Sequence, residues 1–209
     1  VAANTAAEHA DAVLAAWYGG EEAGSAMADV LFGDVSPAGR LPVTFYRSLD
    51  QVPSFEDYAM AGRTYRFFEG KPLYPFGYGL SYTSFAYSDL RTSRRTLRPG
   101  QRLTVSVTVT NTGTREADEV AQLYLCRPGA PVPVPLRQLA GFRRITIGAG
   151  RSETVRFVIE PRQMAWYDDD GVPVVGAGTL EIAVGGASSG PGMVTGQVEI
   201  TGPEVRLPI

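Results

Sequence analysis

The chain has 209 residues, enough for one large domain or two small ones with a sizeable buried core. Hydrophobic residues make up 44% and charged residues 20%, values ordinary for a globular chain, and no apolar run approaches the ~18–20 residues that a bilayer-spanning helix needs, so no membrane partner is expected. The formal charge of −3 argues against a nucleic-acid partner, because such proteins concentrate positive charge on one face.

The chain opens VAANTAAEHADAVLAAWY, without a start methionine and without the positively charged region of a signal peptide. Residues 5–10 read as the end of a helix. Ala12 to Tyr18 is a short continuous apolar run bounded by Gly19 and Gly20, which fits a strand covered on both faces. Ala23, Met27, Val30 and Leu31 then fall at i, i+4, i+7 and i+8 along one helix face, with Glu21 and Glu22 at the favourable N-terminal end and Gly33 suited to the C-cap. Leu41 to Phe45 predicts a further short strand. The first sixty residues thus read as the tail of an α/β domain, too small to form a stable sheet alone, and as a segment of something longer.

From Tyr58 to Tyr87 the chain carries ten of its twenty-one aromatic residues in thirty positions. Gly70, Pro72, Pro75, Gly77 and Gly79 interrupt helix formation, so an ordered, non-helical connector is expected. Beyond it the period becomes two: Leu103, Val105, Val107 and Val109 alternate with polar residues, as do Val155, Phe157 and Ile159, and Leu180, Ile182 and Val184. Pro99-Gly100, Asn111-Thr112-Gly113, Gly148-Ala149-Gly150 and Asp170-Gly171 mark turns between them. Such spacing predicts an antiparallel β-sandwich.

Several of these stretches also carry a family signature. GEEAGSAMADVLFGDVSPAGRLPVTF (Gly20 to Phe45) and GRTYRFFEGKPLYPFGYGLSYTSF (Gly62 to Phe85), followed by VTVTNTG (Val107 to Gly113), EVAQLYL (Glu119 to Leu125) and LAGFRRI (Leu139 to Ile145), resemble the C-terminal part of glycoside hydrolase family 3. The resemblance covers nearly the whole chain. It implies an α/β fragment at 1–60, the C-terminal part of an α/β sandwich domain, then the aromatic connector at 61–85, and an all-β immunoglobulin-like sandwich similar to fibronectin type III at 86–209. It also implies a β-glucosidase or β-xylosidase that hydrolyses terminal non-reducing β-linked sugars with retention. The family's barrel, which supplies the nucleophilic Asp, has no counterpart here, and neither does the upstream α/β region that typically carries the acid/base Glu. The departures are mild: Ser36 and Ala38 stand within GDVSPAGRL where the family more usually has Asn-Pro-Ser, and Gly19 and Ala23 stand where Pro and Gly are frequent.

Candidate chemistry is sparse. His9 is the only histidine, which removes a Ser-His-Asp triad and histidine metal sites within this chain, and Cys126 is the only cysteine, expected as a free buried thiol. No phosphate-cradling glycine loop is present. Asp168 to Asp170 before Gly171 read as a turn rather than a calcium loop, and Trp166 and Tyr167 as packing rather than a sugar platform. Glu22, Asp57, Arg63, Tyr65 and Arg66 are the substrate-proximal candidates, since charges interleaved with aromatics suit sugar hydroxyls and ring faces. For Glu22 the competing reading is helix-end stabilisation, and for the arginines an ion pair with Asp57 or Glu69.

The expectation is therefore a supporting segment without catalytic residues, metal or cofactor, inactive alone. Its partners would be the barrel and the rest of the α/β domain, on the same or a separate chain, and a β-linked oligosaccharide or aryl glycoside reached through the complete enzyme. The compartment stays open, with periplasm or secretion compatible. The alternative is a non-catalytic carbohydrate-binding or adhesion sandwich, which would have no need of residues 12–45.

Overall fold

The computed structural model describes residues 3–208. Among the described residues two α-helices, α1 (Asn4–His9) and α2 (Ala23–Phe32), and a short 3-10 turn at Leu49–Gln51 precede the connector, which contains one helical turn, α3 (Thr64–Phe67). From Phe85 onward the chain is β: β1 (Phe85–Thr92), β2 (Thr96–Leu97), β3 (Leu103–Asn111), β4 (Ala117–Cys126), β5 (Gln138–Ile147), β6 (Ser152–Ile159), β7 (Trp166–Tyr167), β8 (Pro173–Val175), β9 (Gly178–Gly185), β10 (Val194–Ile200) and β11 (Val205–Arg206). Among the described residues no helix is long and apolar enough to cross a membrane.

Two sheets face each other. One has the order β1-β3-β6 and the other β2-β10-β9-β4-β5, while β11-β8-β7 forms a small third sheet. Pairing is antiparallel except where β2 runs parallel to β10. The alternation in LTVSVTVTN does what its period demands: Leu103, Val105, Val107 and Val109 are buried and the intervening hydroxyl residues face outward. They meet Leu123, Leu125, Ile182, Val184, Val155 and Phe157 in one core, each Val, Leu or Phe contributing about 1.5–3 kcal/mol if fully withdrawn from water. Gly100 and Gly150, both at positive φ, close the turns that the Pro-Gly and Gly-Ala-Gly signals predict.

The first sixty residues differ from expectation in an instructive way. Residues 5–9 are helical and α2 ends on Gly33 in the left-handed conformation, both as predicted. Ala12 to Tyr18, however, forms no strand, because no neighbouring strand is there to complete its ladder. Leu41 to Phe45 forms no sheet of its own either. It pairs instead with the connector: Leu41 N donates to Tyr78 O (2.8 Å), Phe45 N to Tyr74 O (2.9 Å), Leu73 N to Phe45 O (2.8 Å) and Gly77 N to Leu41 O (2.7 Å), which amounts to one β-bridge, Phe45 to Tyr74. The expectation of a wholly non-helical connector is corrected by α3, which precedes the first breaker, Gly70.

Candidate functional site

The structure concentrates its buried polar groups where the connector sits on the sandwich. Gly39-Arg40 follows the turn after α2, and the Arg40 guanidinium reaches across to Glu119 on β4, Nη2 to Oε2 at 2.8 Å. The two side chains are 9% and 4% exposed, so this is a buried pair, and its partners are 79 residues apart. The second carboxylate oxygen accepts from the Tyr87 hydroxyl at 2.8 Å. Burial, reinforced by the Glu119 charge, holds the Tyr87 phenol far above its ordinary range, so it stays a donor. The three residues belong to three stretches: the post-helix turn, the first strand of the sandwich and β4, which lies between β9 and β5.

Beside this node, the Gln122 amide donates to Gly77 O (3.1 Å) and Gly186 O (2.6 Å) and its oxygen accepts from the Tyr124 hydroxyl at 2.5 Å. Gly77 sits at φ 81°, a conformation that favours glycine, and a Cβ there would lie 2.0 Å from Gln122 Oε1 and displace that amide. Gly79 packs against the Gly39 carbonyl, and a Cβ there would fall 2.4 Å from that backbone oxygen. Tyr65 stacks on Phe76 at 4.2 Å and meets Tyr124 edge-on at 6.0 Å. Ser188 N donates to Phe76 O (2.8 Å), and Thr83 Oγ1 to the buried Asn111 side chain (2.6 Å), whose amide in turn donates to Ile147 O. Connector, turn and sandwich are thus one hydrogen-bonded seat.

The candidate residues divide between three places. Glu22 is the exposed N-cap position of α2 and accepts from Ser25 Oγ at 2.9 Å. Asp57 and Arg63 share one exposed loop: Asp57 Oδ1 accepts from Ala59 N (2.9 Å), while the Arg63 guanidinium spans the carbonyls of Ala59, Ser54 and Asp57. Arg63 therefore braces backbone; its partner is not the Asp57 carboxylate. Tyr65 and Arg66 dock on the sandwich edge, where the Tyr65 hydroxyl accepts from Leu139 N (3.2 Å) and Arg66 Nη2 donates to Gln138 Oε1 (3.3 Å). Hydrogen bonds among the described residues bring Asp57 and Arg63 together, and Tyr65 and Arg66 separately to β5, but not Glu22 to either group.

Other motifs resolve into structure. Asp168 Oδ1 accepts from Asp170 N and Val172 N, closing the β7–β8 turn, and Oδ2 faces Arg206 at 2.7 Å. Trp166 is buried beneath the Arg127 guanidinium, which donates to Met164 O and Gly176 O, and Tyr167 stays half exposed. Cys126, expected to be buried, is only partly so. It donates to Pro135 O beside a groove of about 440 Å³ that Arg137, Glu181 and Gln197 also line, and burial pushes its thiol up. Arg40, Glu119, Tyr87 and Gln122 were missed by reasoning from the sequence, although Arg40, Glu119 and Gln122 each lie within a motif quoted above.

With that geometry in hand, likeness to known proteins decides the family. Residues 1–82 match the glycosyl hydrolase family 3 C-terminal domain and residues 119–188 the fibronectin type III-like domain. A xylan 1,4-β-xylosidase from Xylanibacter ruminicola is 45% identical over 161 residues, covering 77% of this chain and 18% of that protein. These residues belong to glycosyl hydrolase family 3, in its C-terminal part. A periplasmic β-glucosidase from Salmonella typhimurium is 43% identical over 77% of this chain and 23% of its own length. Among solved structures, β-glucosidase 3B from Thermotoga neapolitana superposes with a TM-score of 0.78 at 34% identity, over 91% of this chain and 28% of that one. The family 3 segment described here thus spans about a quarter or less of these relatives. Its fold is an α/β fragment followed by an immunoglobulin-like sandwich of fibronectin type III kind, and glycosidase relatives that carry both pieces disfavour a free-standing adhesion module.

Proposed function

We propose that this family 3 segment serves a retaining β-glycosidase of the β-glucosidase or β-xylosidase group as the brace that holds its catalytic domains in register. The observation that carries this reading is a contrast within residues 12–60. Arg40 and the stretch from Leu41 to Phe45 are locked to the sandwich and the connector through Glu119 and the backbone ladder. Elsewhere in the same stretch Trp17, Tyr18, Leu31, Phe32, Leu49 and Phe55 are exposed, apolar side chains suited to packing against the remaining strands of an α/β sheet.

On this reading residues 1–60 complete that sheet, 61–85 connect, and 86–209 buttress. The reacting carboxyls of a retaining enzyme stand about 5–5.5 Å apart, and such a pair is held only by a packed surrounding shell. The braced loop of Asp57 and Arg63 would face the leaving-group side of a β-linked oligosaccharide or aryl glycoside, with Glu22 at the ligand-collecting end of the sheet and Tyr65 and Arg66 fixing the loop's base.

The test is a graft. The corresponding segment of the 45%-identical xylosidase is replaced by this chain, and 4-nitrophenol release from aryl β-xyloside and β-glucoside is followed. A folded chimera with activity, beside an inactive isolated chain, supports the proposal. A folded but inactive chimera, or hydrolysis by the isolated chain, overturns it.

A further inference from the structure

The outer face of the β1-β3-β6 sheet has a chemistry that the supporting role does not use. On β3 the outward residues are Thr104, Ser106, Thr108 and Thr110. Register places Ser88 and Thr154 on either side of Thr108, and Arg91 and Arg156 on either side of Ser106. Cross-strand partners share a face, so the centre of this sheet carries a row of Arg, Ser, Arg next to a row of three hydroxyls. The irregularity of β1 between Ser88 and Arg91, with Asp89 at φ 51°, is what brings Arg91 opposite Ser106. Two strand spacings set the arginine backbones roughly 9–10 Å apart.

The charge continues past the strand end. Residues 91–102, RTSRRTLRPGQR, hold five arginines and no acidic residue in a chain whose net charge is −3. Of these five and Arg156, only Arg102 forms an ion pair among the described residues, with Glu160 at 2.8 Å, and Arg94 donates to Gln101 Oε1. Arg91, Arg95, Arg98 and Arg156 are exposed. Arginine's planar fork matches a carboxylate through two parallel hydrogen bonds, and flanking serine and threonine hydroxyls can exchange hydrogen bonds with sugar hydroxyls.

We propose that this face is an ancillary binding site for an acidic polysaccharide, a β-linked polymer bearing uronate carboxylates, with Arg91 and Arg156 as the carboxylate contacts and the Ser106, Thr108 and Thr154 hydroxyls as contacts to the sugar backbone, Ser88 donating instead to Asp89 Oδ2 at 3.3 Å. The choice of polymer rests on the glycosidase reading above; the site itself rests on the arrangement of the sheet. It would hold the brace against a charged polymer while neutral termini are hydrolysed elsewhere.

The test is binding of the chain to immobilised glucuronic-acid-substituted xylan and to the same xylan after carboxyl reduction, by biolayer interferometry at low and physiological salt. The acidic polymer is expected to bind at least tenfold more tightly than the reduced one, with affinity falling as salt rises. Arg91→Ser with Arg156→Ser is expected to remove at least tenfold of that affinity at unchanged Tm, whereas Arg143→Ser, an exposed arginine on β5, leaves it intact. Equal binding of the two polymers, undiminished binding by the double variant, or equally tight binding of polyphosphate would each overturn the site. Hydrolysis is not read, so the result is independent of whether the graft is active.

Discussion

The sandwich and the first sixty residues are written in much the same hydrophobic alphabet and come to opposite ends. In the sandwich Leu103, Val105, Val107 and Val109 are all at 0% exposure, while Tyr18, Phe32 and Phe55 stand 102%, 85% and 91% exposed. The difference lies in who supplies the neighbours. A β-sandwich closes its core from its own strands, whereas a strand or helix of an open α/β sheet needs strands and helices from elsewhere in the domain. An apolar run thus announces burial without saying what will cover it.

That contrast can be broken first at the seat. Replacing Glu119 by Ala leaves the Arg40 guanidinium buried without its carboxylate, and a loss of about 3–5 kcal/mol is expected in urea unfolding. Amide exchange should rise more at Leu41 and Gly77 than at Val107, since the ladder depends on the node and β3 does not. Leu123→Ala, inside the sandwich core, should cost about 2–5 kcal/mol by the same measurement, with the exchange of β3 and β9 amides raised together. Tyr87→Phe removes only the hydroxyl that donates to Glu119, and about 1.5–3 kcal/mol is expected. At the far end of the scale, Phe32→Ser should change stability by less than about 0.5 kcal/mol, because its ring touches mostly water, while light scattering reports less self-association. A large loss there would mean that the exposed side already has a cover within this chain, and the comparison would collapse.

How much of this was legible depended on range. The two-residue period of residues 103–109 and its bounding turns are enough to describe β3, because alternation is a local property of a half-buried strand. The α2 face was also legible as a period, but its Met27 and Leu31 are exposed, since periodicity specifies a side and not a partner. The seat was not legible as a site. Arg40 and Glu119 are 79 residues apart, and nothing local in GRLP or EVAQ distinguishes a buried pair from two surface charges. The competing reading of Arg63, an ion pair with Asp57 or Glu69, gives way to bonds with carbonyls, because the tight loop from Ser54 to Ala59 turns its backbone acceptors inward. α3 went unseen because the breakers Gly70 and Pro72 dominate their surroundings while Thr64 to Phe67 lie just upstream of them.

The Gln122 amide makes the joint between connector and sandwich depend on one side-chain nitrogen. Its nitrogen donates to carbonyls of the connector and of the β9–β10 loop at once. Replacing Gln122 by Glu would exchange that donor for an oxygen and confront two lone-pair-bearing carbonyls with a third acceptor in a buried space. A change of one atom would then loosen the joint between two parts of the protein without cutting either, and faster amide exchange at Gly77 with β3 unchanged would record it.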